Sequence, residues 1–223
     1  MFGVLINIGS NSSNPNGRGR IFRDFTFEYL PIPEFRKTRD QASTYRDLGF
    51  NHVKFPKLPV HLDPEFQSFT YGHVRRGFSD MKSLLRLRKD DVLFFYATLQ
   101  NEDQWSIYVI GYFKNPKVHD CRELSRHEIL NLKNRGFENN AHLKRIEPSV
   151  DLLIKGGKGS RQLQKAFPLA EDDNKLALRE SLRDTIRTAT GRQISSGTPW
   201  FRWALSCDSR ALTEKIEQWE ITE

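Results

Sequence analysis

Apolar positions in this chain fall in short runs, and the runs predict more strands than long helices. Residues 3–8 (GVLINI) make a nearly continuous apolar segment of strand length. Two stronger runs, 91–99 (DVLFFYATL) and 105–113 (WSIYVIGYF), are joined by NEDQ at 101–104, which predicts an antiparallel hairpin. FTFEYLPI at 25–32 alternates and is aromatic, so a strand is expected there, with Pro31 and Pro33 ending it or placing it at an edge. VDLLI at 150–154 predicts a further strand, followed by the loop KGGKGSR.

Helical spacing is confined to four places. SDMKSLLRL (79–87) predicts a short helix with Ser79 as N-cap. Ser125 and Glu128 have capping-box spacing, Leu124 and Ile129 flank them as a staple, and Gly136 stops the helix after Lys133 and Arg135. Leu178, Leu182 and Ile186 recur every four residues and predict an amphipathic helix over 174–190, ended by Gly191. Asp208 caps a last helix carrying Leu212, Ile216 and Trp219. Residues 34–70 have little period and contain Pro56, Pro59 and Pro64, so a long irregular excursion is expected. No repeat or linker divides the chain. The expectation is a single α+β (mixed α/β) domain over 1–223, with a core over about 1–170 and a C-terminal helical extension over 171–223.

Composition narrows the function classes. The chain has 223 residues, 37% apolar, with 16 Phe, 4 Trp and 6 Tyr, which a disordered chain does not carry. Two cysteines without a CxxC pair exclude a zinc knuckle and a disulfide scaffold. The N-terminal stretch lacks a basic signal-peptide region, and no window approaches about 18 consecutive apolar residues, so a soluble cytoplasmic protein that does not cross a membrane is expected. Lys and Arg total 35 against 28 Asp and Glu, giving +7 and a pI near 9.5. That balance fits a polyanionic partner, DNA or RNA, through counterion release, and it also fits a merely basic surface.

Several segments carry candidate chemistry. Arg18, Arg20 and Arg23 sit on a Gly-flanked loop where guanidinium groups can hold phosphate. Lys144, Arg145, Lys155, Lys158, Arg161 and Lys165 concentrate in 140–165, and the KGGKGSR turn after a strand suits an anion site. GTPWFRW (197–203) places Trp200, Arg202 and Trp203 together, and strand alternation cannot put all its rings on one side, so one ring is a candidate for base stacking. Arg179, Arg183 and Arg187 would form a stripe on the predicted helix. His52, His61, His73, His119 and His127 fit no helical ligand pair, so no metal site and no cofactor are expected. Cys121 with His119 or His127 is a weak candidate for a thiol nucleophile, and packing before a helix start is the favoured reading.

Two resemblances arise at these residues. MKSLLRLRKDDVLFFYATL followed by IYVIGYF resembles the PUA-like domains, including EVE, YTH and ASCH domains, except that Lys89-Asp90 stands where those domains have a Gly-Asp turn. The resemblance implies a PUA-like twisted barrel or strongly curved sheet with flanking helices. It also implies an aromatic pocket for a flipped base, for which Tyr96, Trp105, Trp200 and Trp203 are candidates by residue type. The N-terminal strand with its Gly/Ser/Asn loop, PIPE (31–34), NAHLKR (140–145) and IKGGKGSRQLQKAFPL (154–169) resemble the nucleotide modification associated domain 3 family. That resemblance implies a role in making or recognising modified bases.

Three readings follow. One is a nucleic-acid-binding module, with Tyr96, Trp105, Trp200, Trp203 and Asn140 contacting a base and Arg18, Arg20, Lys144, Lys155, Lys158, Arg161 and Arg202 holding phosphates. The second is an enzyme acting on a nucleotide or DNA base, with His142 as general acid or base, Asp24 or Asp151 as its carboxylate partner and Asn140 orienting the substrate. The third is an interaction component in which the net acidic stretch 207–223 docks on a basic face of a second copy, giving a homodimer.

Overall fold

In the computed structural model, residues 1–8, 14–39, 42–74, 78–102, 104–171, 177–194 and 204–223 are described, as are their side chains except those of 78–80. Strand β1 (Phe2–Asn7) pairs in parallel with β6 (Val92–Asn101), and β6 pairs antiparallel with β7 (Gln104–Lys114) in the expected hairpin. Beyond β7 lies β10 (Arg161–Pro168), and beyond β1 lie β12 (Leu205–Asp208) and β11 (Ile186–Thr188), giving the order β10-β7-β6-β1-β12-β11. A two-residue strand β2 (Gly19–Arg20) pairs with the far end of β6.

Both faces of this sheet are covered, which explains the unbroken apolar run of β6. Leu93, Phe95, Ala97 and Leu99 face one core layer with Val4, Ile6, Met81 and Leu84. Val92, Phe94 and Tyr96 face the other, with Leu5, Leu182, Ile186, Leu212 and Ile216. A strand buried on both faces has no polar alternation to show. Helix α1 (Phe78–Leu85) covers the first layer, and α4 (Ser209–Thr222), capped by the Asp208 side chain, covers the second.

A smaller sheet, β5-β9-β8, joins Thr70–His73, Leu152–Lys155 and Lys117–Asp120. Tyr71, Leu152 and Ile154 reach the first core layer, whereas Leu153 turns to a third cluster with Ile129, Leu132, Phe137 and Leu143. That cluster lies under α2 (Arg126–Asn131), whose Ser125–Glu128 capping box forms as predicted, and α3 (Ala141–Lys144). Gly136 ends the turn after α2 with φ +88°, a left-handed conformation that favours glycine. The excursion at 34–70 closes over its own small cluster of Leu30, Tyr45, Val53 and Val60, with β3 (Ile32–Pro33) paired to β4 (Val60–His61).

The mixed α+β architecture is present, and three finer expectations differ from what is observed. Among the described residues the main sheet is open, with β10 and β11 at its two ends and no closed barrel; an open sheet leaves the strongly curved alternative standing. Closure needs the end strands to pair; here part of the β10 backbone is occupied by Phe25 and Thr26, through the Thr26–Lys165 bridge and the Ala166 amide donating to Phe25 O. Residues 25–32 are not one strand, because Phe25 adopts φ +62° and only isolated bridges precede β3. The region expected as a helix over 174–190 holds a 3-10 turn (Glu180–Leu182) and β11 among its described residues. Leu178, Leu182 and Ile186 are buried as predicted, but Ile186 and Thr188 are β-branched and join the ladder with β12. The stretch 171–223 therefore supplies two strands of the main sheet as well as α4, and Arg179, Arg183 and Arg187 do not form a helical stripe.

Candidate active site and basic cleft

The densest group of buried ionisable side chains lies where the 34–70 excursion meets α3. Glu34 follows β3, His61 ends β4, Asp63 comes two residues later, and His142 and Arg145 come from α3 and its C-cap. Their side chains are 4–10% exposed. Chain pairing holds these segments together: Thr38 bridges Arg145, the Arg39 amide donates to Lys144 O, and the Ile146 amide donates to Lys37 O.

Glu34 is the anchor. Its Oε2 lies 2.9 Å from Arg145 Nε and 2.8 Å from His61 Nδ1. Burial alone would raise the Glu34 carboxyl, but the hydrogen bonds from His61 and Arg145 outweigh it and hold the group at about 2. Glu34 is thus an acceptor, so His61 Nδ1 carries a proton. For His61, burial lowers the imidazole below its ordinary value despite the Glu34 bond. His142 Nδ1 lies 2.9 Å from Ser149 O, which only accepts, and 3.1 Å from Arg145 Nη1, which only donates; the shorter contact favours a proton on that nitrogen, as the 2.8 Å Glu34 contact does on His61 Nδ1 against Arg145 Nη2 at 3.2 Å. Asp63 Oδ1 accepts from the Gly72 amide at 2.8 Å.

The remaining atoms face one another. His142 Nε2 is 3.3 Å and His61 Nε2 3.9 Å from Asp63 Oδ2, and the two rings meet edge to face at 4.7 Å between centroids. His61, Asp63 and His142 each offer one ligand atom, all within 4.8 Å of one another, the one group of this kind among the described residues. Gly72 makes room for the packing: a Cβ there would lie 2.4 Å from His142 Cδ2 and 3.1 Å from Asn140 Oδ1. Such an arrangement can hold a proton between two bases, or a cation, beside a fixed guanidinium.

The residues singled out from sequence are distributed as follows. His142 is in the cluster. Asn140, fully buried, caps α3 by accepting from the His142 amide at 3.1 Å, so it positions the histidine. Asp24 is exposed and caps its own turn through Thr26, whose hydroxyl and amide lower its carboxyl below the ordinary value. Asp151 lies in the turn before β9 and is half-buried. Tyr96 is sealed in the second core layer. Lys144 is half-buried at the end of α3. Lys155 donates to Ser68 O at 2.5 Å and Gly136 O at 2.8 Å, and Arg161 binds Glu220 at 2.5 Å and the Tyr112 hydroxyl at 2.9 Å. These contacts tie two cations of the KGGKGSR segment to protein partners, although the Arg161 side chain stays partly exposed, and Lys158 is exposed. Cys121 is buried and its thiol is pushed up to about 11 by that burial, which keeps it protonated and a poor nucleophile. Trp200, Arg202 and Trp203 lie outside the described residues.

Arg18 and Arg20 line a cleft of about 1100 Å³ with Arg23, His52, Lys54 and residues 100–102 and 104. Among the described residues, four Lys and Arg side chains from two separate segments line it against one carboxylate, Glu102. Arg18 lies 5.2 Å over the Trp105 ring and its Nη1 donates to Gln100 at 3.4 Å. Glu28 sits beside the cleft, 3.9 Å from Arg20 and 3.2 Å from His52.

Sequence reasoning missed His61, Asp63 and Glu34 as partners of His142. Their signal was faint: a histidine and an aspartate two apart in PVHLDPE, and the acid of PIPE. No helix in the described residues is long and apolar enough to cross a membrane. A family model described as nucleotide modification associated domain 3 matches residues 3–220. No curated protein and no solved structure matches the chain.

Proposed function

Because the chain belongs to the nucleotide modification associated domain 3 family, we propose that it works on nucleic acid and engages phosphates along the Arg18–Arg20–Arg23–Lys54 cleft. The observation that carries this reading is the convergence of those cations on one concave surface beside an arginine-stacked indole. Guanidinium groups recognise phosphate bidentately, so the backbone would be held by Arg20, Arg23 and Lys54. Trp105 packs against the second core layer with Arg18 over its ring, so a modified or flipped base would stack there only by displacing Arg18. Binding to single- and double-stranded DNA and RNA should weaken with salt, at a log–log slope of about −0.7 to −0.9 per phosphate contact. The combined variant Arg18→Ala, Arg20→Ala, Lys54→Ala should lose affinity on every sequence and flatten that slope. An unchanged slope in the variant rejects the cleft.

A second reading, an enzyme acting on a nucleotide or base, is favoured by the Glu34–His61–Asp63–His142–Arg145 cluster. Burying five ionisable groups is costly unless they are paired, and perturbed buried groups concentrate at sites of chemistry. Here His142 is the general base or acid, positioned by Asn140 and Ser149 O, with Asp63 rather than Asp24 as its carboxylate partner. Nucleoside mass spectrometry of DNA incubated with wild-type protein and with His142→Ala tests it. A new nucleoside with wild type alone is expected, and identical profiles count against catalysis by His142.

A further inference from the structure

We propose that His61 Nε2, Asp63 Oδ2 and His142 Nε2 form a binding site for one divalent transition-metal ion. The proposal rests on the cluster's geometry and not on the nucleic-acid cleft, with which it shares no residue, and it replaces the proton-transfer role of His142, whose Nε2 cannot both ligate a metal and take a proton.

Each candidate ligand has its other polar atom engaged: His61 Nδ1 with Glu34 at 2.8 Å, His142 Nδ1 with Ser149 O at 2.9 Å, and Asp63 Oδ1 with the Gly72 amide at 2.8 Å, while Arg145 Nη2 and Nη1 lie farther off, 3.2 and 3.1 Å from the two Nδ1 atoms. Metal-binding histidines typically donate their second ring N–H to a carboxylate or a backbone carbonyl, which fixes the tautomer and raises ligand basicity. One histidine here has the carboxylate and the other the carbonyl. With both rings neutral, two imidazole lone pairs and a carboxylate oxygen converge on one niche, an arrangement that repels itself unless something positive lies between them.

Two ligands about 2.1 Å from a tetrahedral ion lie about 3.4 Å apart. The two nitrogen-to-oxygen separations, 3.3 and 3.9 Å, bracket that value, and each of the three residues has a ligand atom within 4.8 Å of the others. Glu34 and Asp63 against Arg145 leave the buried group one unit negative when both rings are neutral. A proton on one ring satisfies that ring alone, whereas a divalent ion satisfies both rings and the carboxylate together. Two imidazoles and one carboxylate suit zinc, iron, cobalt or manganese in the divalent state, and three protein ligands leave coordination positions open for water or substrate.

Cobalt(II) is the probe, because it gives visible absorption bands that depend on its ligands. Chelator-stripped wild-type protein should develop these bands, saturate at one equivalent per chain, and lose them on addition of zinc. Asp63→Asn keeps an oxygen for the Gly72 amide and removes the charge, so it should bind cobalt at least about 10-fold more weakly with an unchanged circular-dichroism spectrum. Glu34→Gln should weaken binding by about 10–100-fold through the His61 ring. The wild-type titration needs no variant to fold: absence of saturable cobalt bands in natively folded protein overturns the proposal. Equal affinity in a folded Asp63→Asn variant overturns it as well.

Discussion

At the residue scale, Glu34 decides the most. It accepts from both Arg145 and His61, and losing it leaves a guanidinium buried without its carboxylate. Glu34→Gln should therefore destabilise the protein by about 3–5 kcal/mol, the usual cost of breaking a buried pair from one side. The pH dependence has a definite sign. The carboxyl is held at about 2 in the folded protein, below its ordinary 4.5, so folding favours the ionised form. Its stabilisation is complete above the unfolded value and declines as pH falls from about 5 towards 2. Urea midpoints measured across that window should fall in the wild type and fall less steeply in Glu34→Gln; parallel curves would show that Glu34 contributes nothing to the acid limb. His142 and Asn140 were singled out by residue type in NAHLKR, but Asn140 as a base contact, whereas it caps α3. Asp63 and His61 were not, since they lie in a segment whose burial arises from contacts more than 70 residues away in the chain, and no local period reports those contacts.

At the element scale, the hairpin β6–β7, the capped helix α2 and the capped helix α4 were readable because each is specified by neighbours in sequence. A capping box, an apolar run and a short link act within a few residues. The stretch 177–190 was misread for the converse reason. Its four-residue apolar spacing fits a helix, but pairing with β12 supplies the backbone hydrogen bonds and packs Ile186 against the second core layer. The KGGKGSR segment shows the same override in its chemistry. Arg161 clamps β10 to α4 through Glu220, and Glu220 also accepts from the Gln164 amide at 2.9 Å. Arg161→Ala should lower the melting temperature, with a loss of about 1–3 kcal/mol for leaving Glu220 partly buried without its charge partner. Its affinity for nucleic acid should stay close to wild type. A folded Arg161→Ala variant with normal stability and weakened binding would return this arginine to the phosphate contacts.

At the scale of the whole molecule, the chain's first strand and its last strand are neighbours: β1 pairs with both β6 and β12, and the Ser209 amide donates to Met1 O. Two candidate sites made of different residues lie in separate places on this fold. The basic cleft lies at the β2 end of β6, and the histidine–carboxylate cluster lies at the meeting of the 34–70 excursion with α3. Net charge pointed to a polyanion, but composition has no direction, and only the fold separates cations aimed at a cleft from those consumed inside. Photo-crosslinking of the full chain to single-stranded DNA, with crosslinked peptides located by mass spectrometry, tests that separation most directly. Crosslinks concentrated in residues 16–23, 52–54 and 100–105 are the predicted result. Crosslinks centred on 155–161, with none in those three stretches, would contradict the account.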